Sequence, residues 1–184
     1  VVDNVERMKV LVNDLSDISR MESGQLSINI KEIDLQPQLD QALKGVMSQI
    51  ESRGHQLIED IDDNLPPVMA DGARLVQILV NLLSNAYKYT PDNGTITLSV
   101  HQRENDVEIS VQDTGVGMSP EQIEKLGTKF VRFDDNEHVA QQSGTALGFA
   151  ITRNLIELMD GTLTIESEAG EGSKFIFTVP VAGE

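Results

Sequence analysis

The chain has 184 residues, 39 % of them hydrophobic, enough for one well-filled core with room for only a small second element. Fourteen basic against thirty acidic side chains give a formal net charge of −16, which argues against nucleic acid or an anionic membrane surface as a partner. With no cysteine, disulfides, thiolate metal sites and a cysteine nucleophile are excluded, and a reducing, cytoplasmic setting fits.

Residues 1–23 read as one amphipathic helix. Val5, Met8, Val12 and Leu15 recur three and four apart, and Leu11 and Ile18 widen the same stripe. Ser23-Gly24 ends it. Heptad-like spacing calls for a partner helix, so a dimerisation or bundle helix is favoured over one that folds back on the main core. Nowhere does an apolar run approach the roughly 20 residues a membrane crossing needs. The opening Val1-Val2-Asp3-Asn4 carries no export signal, so a soluble piece of a longer protein is expected.

From Leu26 onward one α/β domain is expected. Alternating runs at 26–30 and 57–61 flank a helix of about 15 residues beginning after Pro37, with Leu39, Leu43, Val46, Met47 and Ile50 on its apolar side. A strongly apolar helix spans 72–89. Strands follow at 95–101 and 107–113, and Ser119-Pro120 opens a short helix. Residues 127–148 are polar and glycine-punctuated, the pattern of a functional loop. A helix to Met159, a turn at Asp160-Gly161 and strands at 162–166 and 174–179 close the chain.

Three places carry candidate chemistry. On the 72–89 helix, Arg74, Gln77, Asn81, Asn85 and Lys88 fall on one strip, opposite Leu75, Ile78, Leu79, Leu82, Leu83 and Ala86. Asparagine is a weak helix former, so two of them one turn apart ask for a reason beyond solvation. Their neutral oxygens suit a hard cation whose other ligands are phosphate oxygens, and Lys88 lies one turn on. Second, strand alternation turns Asp113 towards the same side as Val107, Ile109 and Val111, just before Thr114-Gly115-Val116-Gly117. A carboxylate there is either a turn cap or an acceptor for a buried planar base. Third, Ser143-Gly144-Thr145-Ala146-Leu147-Gly148 opens a helix. Its free amides suit either phosphate or ordinary capping.

In order and spacing, Asn81-Leu-Leu-Ser-Asn85-Ala-Tyr-Lys88-Tyr89-Thr90, Asp113-Thr-Gly115-Val-Gly117, Phe130-Val-Arg132-Phe133 and Gly144-Thr-Ala-Leu-Gly148 resemble the N, G1, F and G2 boxes of sensor histidine kinases. Residues 14–24 resemble the end of that family's second dimerisation helix. The resemblance implies an α+β fold, the Bergerat two-layer sandwich, with a mixed sheet, helices on one face and a long N-terminal helix before it. Residues 1–24 would be the partial dimerisation element and 25–184 the ATP-binding catalytic domain. Asn85 would coordinate Mg²⁺ on the ATP phosphates with Asn81 beside it. Lys88 would contact phosphate, Tyr89 would flank the nucleotide, and Asp113 would accept the adenine amino group between Gly115 and Gly117. Gly144, Thr145, Ala146, Leu147 and Gly148 would lie near the phosphates at the end of an ATP lid. Arg132, with Phe130 and Phe133, would place that lid or meet the acceptor helix, and Asn81, Lys88 and Arg132 would assist transfer. Expected partners are the kinase's own phosphoacceptor helix, a response regulator receiver domain and a second copy in a homodimer.

Two departures stand out. No histidine matches the family's acceptor motif: His55, His101 and His138 read as structural or solvated, so the acceptor is expected outside this sequence. Ala146 stands where the family usually has glycine, and its methyl restricts φ and crowds close backbone contact. A catalytically impaired, nucleotide-responsive binding module is therefore the alternative function. An ATP hydrolase resembling the gyrase and Hsp90 type ranks below both, because those enzymes carry a general-base glutamate at the position of Asn81.

Overall fold

The computed structural model describes residues 2–126 and 146–183. Helix α1 (Val2–Glu22) leads into strand β1 (Lys31–Ile33), helix α2 (Gln36–Ser52), strands β2 (Gln56–Ile61) and β3 (Val68–Ala70), and helix α3 (Gly72–Tyr89). Strands β4 (Thr95–Gln102) and β5 (Asp106–Asp113), helices α4 (Pro120–Lys125) and α5 (Ala146–Leu158), and strands β6 (Leu163–Glu168) and β7 (Gly172–Pro180) follow.

The main sheet has the order β2-β4-β5-β7-β6, with β2 parallel to β4 and every other pair antiparallel. It is therefore mixed. Alternation along each strand sends Ile96, Leu98 and Val100, Val107, Ile109 and Val111, and Phe175, Phe177 and Val179 to one side, where all are buried. That side is covered by α2, α3 and α5, which contribute Leu39, Val46, Ile50, Leu75, Ile78, Leu82, Ile151 and Leu155 to the same core. Thr97, Ser99 and Ile176 look the other way and are only partly covered. The layered sandwich expected from the sequence is the one observed.

Local chemistry accounts for the helix limits. Asp71 caps α3 by accepting from the Arg74 amide at 3.3 Å, and Leu75, Ile78, Leu79, Leu82, Leu83 and Ala86, recurring three and four apart, are buried. α4 begins with a capping box: Gln122 N donates to Ser119 Oγ and Ser119 N donates to Gln122 Oε1. Asp160, at φ 57°, turns the chain out of α5 into β6.

Two expectations change. Residues 26–30 are not a strand: Leu26 and Ile28 do alternate towards the core, but among the described residues no neighbour offers them a ladder. Pairing starts only at Lys31, where β1 joins β3 as a separate two-stranded sheet. α1 also divides its length between both readings weighed for it. Val5, Met8, Val12 and Leu15 are 48, 64, 61 and 54 % exposed, whereas Ile18 is 4 % exposed and joins the core with Met21 beside it. Its last turns fold back on the domain, and the rest of the seam is bare.

Candidate functional site

The polar strip of α3 forms one wall of a cleft of about 640 Å³, faced by α1 from Val10 to Arg20 and closed at one end by Gly148 of α5. Arg74, Gln77, Asn81, Asn85 and Lys88 all line it, so the predicted strip is a shared surface. Its members do different things. Arg74 Nη1 donates to Asp17 Oδ2 at 3.0 Å and to Gln77 Oε1 at 2.8 Å, and Gln77 Nε2 donates to the same Asp17 oxygen at 3.2 Å. Asn81 Nδ2 donates to Thr152 Oγ1 at 3.2 Å and towards the Gly148 carbonyl at 3.4 Å, tying α3 to α5. Among the described residues no side-chain hydrogen bond holds the Asn85 carboxamide.

Across the cleft stands Asp14, largely buried. Burial raises its pKa, neighbouring Asp17 raises it further, and the Lys88 charge pulls it back. Asp17 is paired with Arg74, which offsets part of the repulsion an acidic wall would exert on phosphate. The volume is that of a small-molecule site.

Asp113 stands where strand alternation predicted, 6 % exposed at the end of β5. Burial raises its pKa, opposed by hydrogen bonds from the Gly115 and Ser173 amides. The Gly115 amide reaches Asp113 Oδ1 at 2.8 Å, so Asp113 does cap its own turn, and its second oxygen keeps acceptor capacity. The turn is tightly enclosed. A methyl on Gly115 would lie 2.5 Å from the Tyr89 carbonyl oxygen, and Gly117, at φ 64°, is packed against the Glu168 carbonyl. Tyr89 meets this turn through its backbone, accepting from Val116 N at 3.3 Å, while burial raises the pKa of its phenol.

Asp113, Gly115, Gly117 and Tyr89 do not line the α1–α3 cleft. The two halves of the predicted site are joined through the end of α3 instead. Ala146, Leu147 and Gly148 begin the described part of α5, and Gly148 lies beside Asn81. A methyl on Gly148 would meet Asn81 only at 3.9 Å, so its described surroundings do not demand glycine. Phe130, Arg132, Phe133, His138, Gly144 and Thr145, with most of the predicted lid, lie outside the described residues. His55 is buried against the Thr90 and Pro91 carbonyls, and His101 sits between Asp60 and Asp62, as suits structural histidines.

Sequence reasoning missed Asp14, Asp17 and Thr152. Thr152 is fully buried on the stripe it shares with Leu155, Ile156 and Met159, and a hydroxyl among apolar positions was the available signal. The acids of α1 offered none, because their partners are distant in the chain.

Among the described residues no three His, Cys, Asp or Glu side chains cluster as a metal site. The Asn85 carboxamide oxygen, which no described side chain engages, is a single neutral donor that fits a cation arriving already ligated by phosphate.

Residues 70–183 match the family described as histidine kinase-, DNA gyrase B-, and HSP90-like ATPase, and the chain belongs to it. Its relatives include proteins named as histidine kinases. The adaptive-response sensory kinase SasA of Synechococcus elongatus is 36 % identical over 178 residues, covering 96 % of this chain and 44 % of that protein. The histidine protein kinase DivJ of Caulobacter vibrioides is 34 % identical over 171 residues, covering 93 % of this chain and 28 % of that one. Full-length ShkA, solved in complex with AMPPNP, aligns over 99 % of this chain and 38 % of its own, with a TM-score of 0.83 and 27 % identity. The catalytic domain of histidine kinase ThkA aligns over 84 % of this chain and 97 % of its own, with a TM-score of 0.73 and 26 % identity. The chain is thus an ATPase domain of the histidine-kinase type, and it spans less than half the length of these two curated relatives.

Proposed function

We propose that this chain is the ATP-binding catalytic part of a two-component histidine kinase, passing the ATP γ-phosphoryl group to a histidine on a dimerisation helix. The bond broken joins the γ-phosphorus to the β–γ bridging oxygen, the bond formed joins that phosphorus to an imidazole nitrogen, and ADP departs. Such a transfer needs positioning and charge neutralisation more than covalent help from the protein. Asn85, with Asn81 beside it, would hold Mg²⁺, which when bound neutralises charge on the phosphates. Lys88 would contact phosphate, Asp113 would accept the adenine amino group, and the first amides of α5 would face the phosphates. Arg132 would orient the lid or the acceptor helix.

The observation that carries this reading is the Asn85 carboxamide, which no described side chain engages, placed with Lys88 in a cleft of ligand size. Asn81 supports transfer over hydrolysis, since an amide donating to Thr152 cannot serve as a general base. The acceptor would belong to the kinase's own phosphoacceptor helix, because both described histidines are engaged by carbonyls or carboxylates. The bare seam of α1 fits pairing with a second copy, and the onward partner would be a response regulator receiver domain. Among the described residues no helix is long and apolar enough to cross a membrane, and a cytoplasmic location fits.

The test mixes the chain with a protein bearing a histidine acceptor helix, Mg²⁺ and γ-labelled ATP. Acid-labile label on the acceptor is expected. Rapid steady-state ATP turnover without acceptor would favour a hydrolase. Nucleotide binding without transfer, persisting in Ala146→Gly, would favour the binding module.

A further inference from the structure

The last carbonyls of any α-helix lack intrahelical donors. In α3 these acceptors are met by the short segment that joins α2 to β2. Arg53 Nη1 donates to the Tyr87 carbonyl and, at 3.2 Å, to that of Lys88, while its Nε donates to Asp92 Oδ1 at 3.0 Å. His55 Nε2 lies 3.1 Å from the Thr90 carbonyl and 3.0 Å from that of Pro91, a geometry that requires the proton on Nε2. The backbone completes the grip: Asn93 N donates to the Arg53 carbonyl at 3.0 Å, and Gln56 N to the Gly94 carbonyl at 2.9 Å. Gly54, at φ 65°, makes the bend, and a methyl there would lie 2.6 Å from Asn93 Oδ1. A guanidinium at a helix C-terminus also complements the dipole.

The opposite side of the same turn carries the glycine segment. The Tyr89 carbonyl accepts from Val116 N, Gly115 fits against that carbonyl only because it lacks a side chain, and the Gly115 amide holds Asp113. A continuous run of contacts therefore leads from Arg53, through the end of α3, to Asp113. Lys88 and Asn85 lie on α3 within its last turns.

We infer that Arg53 and His55 are positioning residues that fix the spacing between the Asn85–Lys88 strip and Asp113, so that a nucleotide gripped at both ends is held at one length. This rests on the nucleotide reading proposed above. Neither residue lines the cleft, so each acts through the helix end it holds. The consequence is selective: ATP engages both ends, whereas adenosine engages only the Asp113 end.

The experiment titrates the 184-residue chain with Mg-ATP and, separately, with adenosine in a calorimeter, for wild type, Arg53→Met and Arg53→Lys. Arg53→Met keeps the apolar stem and removes every donor. It should raise the Kd for Mg-ATP about tenfold, the scale set by losing a charged hydrogen bond, and leave adenosine unchanged. Arg53→Lys restores a cation without the forked geometry and should recover part of the ATP affinity. Circular-dichroism melting identifies folded variants; if Arg53→Met does not fold, a partial loss confined to ATP in Arg53→Lys is the expected result. Equal weakening of both ligands, or of neither, would overturn the inference while leaving the nucleotide reading intact. A wild-type chain that binds neither ligand would overturn both.

Discussion

Asp17 and Arg74 are 57 residues apart in the chain and joined by two hydrogen bonds, Nη1 to Oδ2 at 3.0 Å and Nη2 to Oδ1 at 3.4 Å. The pair ties the lower half of α1 to the first turn of the helix that carries Asn81, Asn85 and Lys88. Both side chains are mostly buried, so the pair is shielded from solvent screening. Asp17→Asn should lower unfolding stability by about 2 kcal/mol, since Arg74 loses a charged partner in a confined place. A double-mutant cycle with Arg74→Met, read by urea denaturation, should return a coupling energy of about 1 to 2 kcal/mol. Coupling near zero would mean that apolar packing of Ile18 and Met21 docks α1 without help from this pair.

Asn81 and Asn85 look equivalent in the sequence and are not equivalent in the fold. Asn81→Ala should reduce stability by about 1 kcal/mol, because the fully buried Thr152 hydroxyl loses its donor. Asn85→Ala should leave the melt nearly unchanged, and it should weaken Mg-ATP on the order of tenfold if that oxygen meets the cation. Thermal melts and titrations of both variants separate the roles. Equal effects on fold and binding in both would argue against a cation site at Asn85.

Asp113 pits stability against binding. Burial raises its folded pKa above the ordinary 3.8, so its favourable contribution is complete below 3.8 and is lost as pH rises through the elevated value. At neutral pH the buried charge is a cost. Asp113→Asn should therefore melt at an equal or higher temperature while ATP affinity falls on the order of tenfold. A variant that is less stable and still binds ATP normally would make Asp113 a turn cap and nothing more.

His101 joins strands β2 and β4 by binding Asp62 Oδ1 through Nδ1 at 3.0 Å and Asp60 Oδ2 through Nε2 at 3.1 Å. The hydrogen bond to Asp62 leads the effects that raise the His101 pKa, and the same bond leads those that lower the pKa of Asp62. The imidazolium's contribution is complete below the ordinary 6.5 and is lost as pH rises through the elevated folded value. The Asp62 contribution is complete above 3.8 and is lost as pH falls through the depressed value. The melting difference between wild type and His101→Gln should be largest between 3.8 and 6.5 and shrink on either side, as pH rises through the elevated His101 value or falls through the depressed Asp62 value. A difference independent of pH would mean that the contact is made by neutral imidazole.

Much of this protein was legible in one dimension because its signals repeat over a few residues. The apolar period of α3 marked the helix as 72–89, which is where it lies. Alternation along β5 predicted that Asp113 would turn inward, and Ser119-Pro120 announced the start of α4. Strand partners and side-chain partners carry no such period. Residues 26–30 alternate like a strand and have no ladder among the described residues, while the three-residue β1 and β3 find each other across α2. Which asparagine would be engaged, which acids of α1 would be buried, and that Arg53 and His55 would close the end of α3 were decided by contacts between segments remote in the chain. Those contacts exist only once the layers have packed, because burial is what makes an unpartnered polar group costly enough to choose its partner.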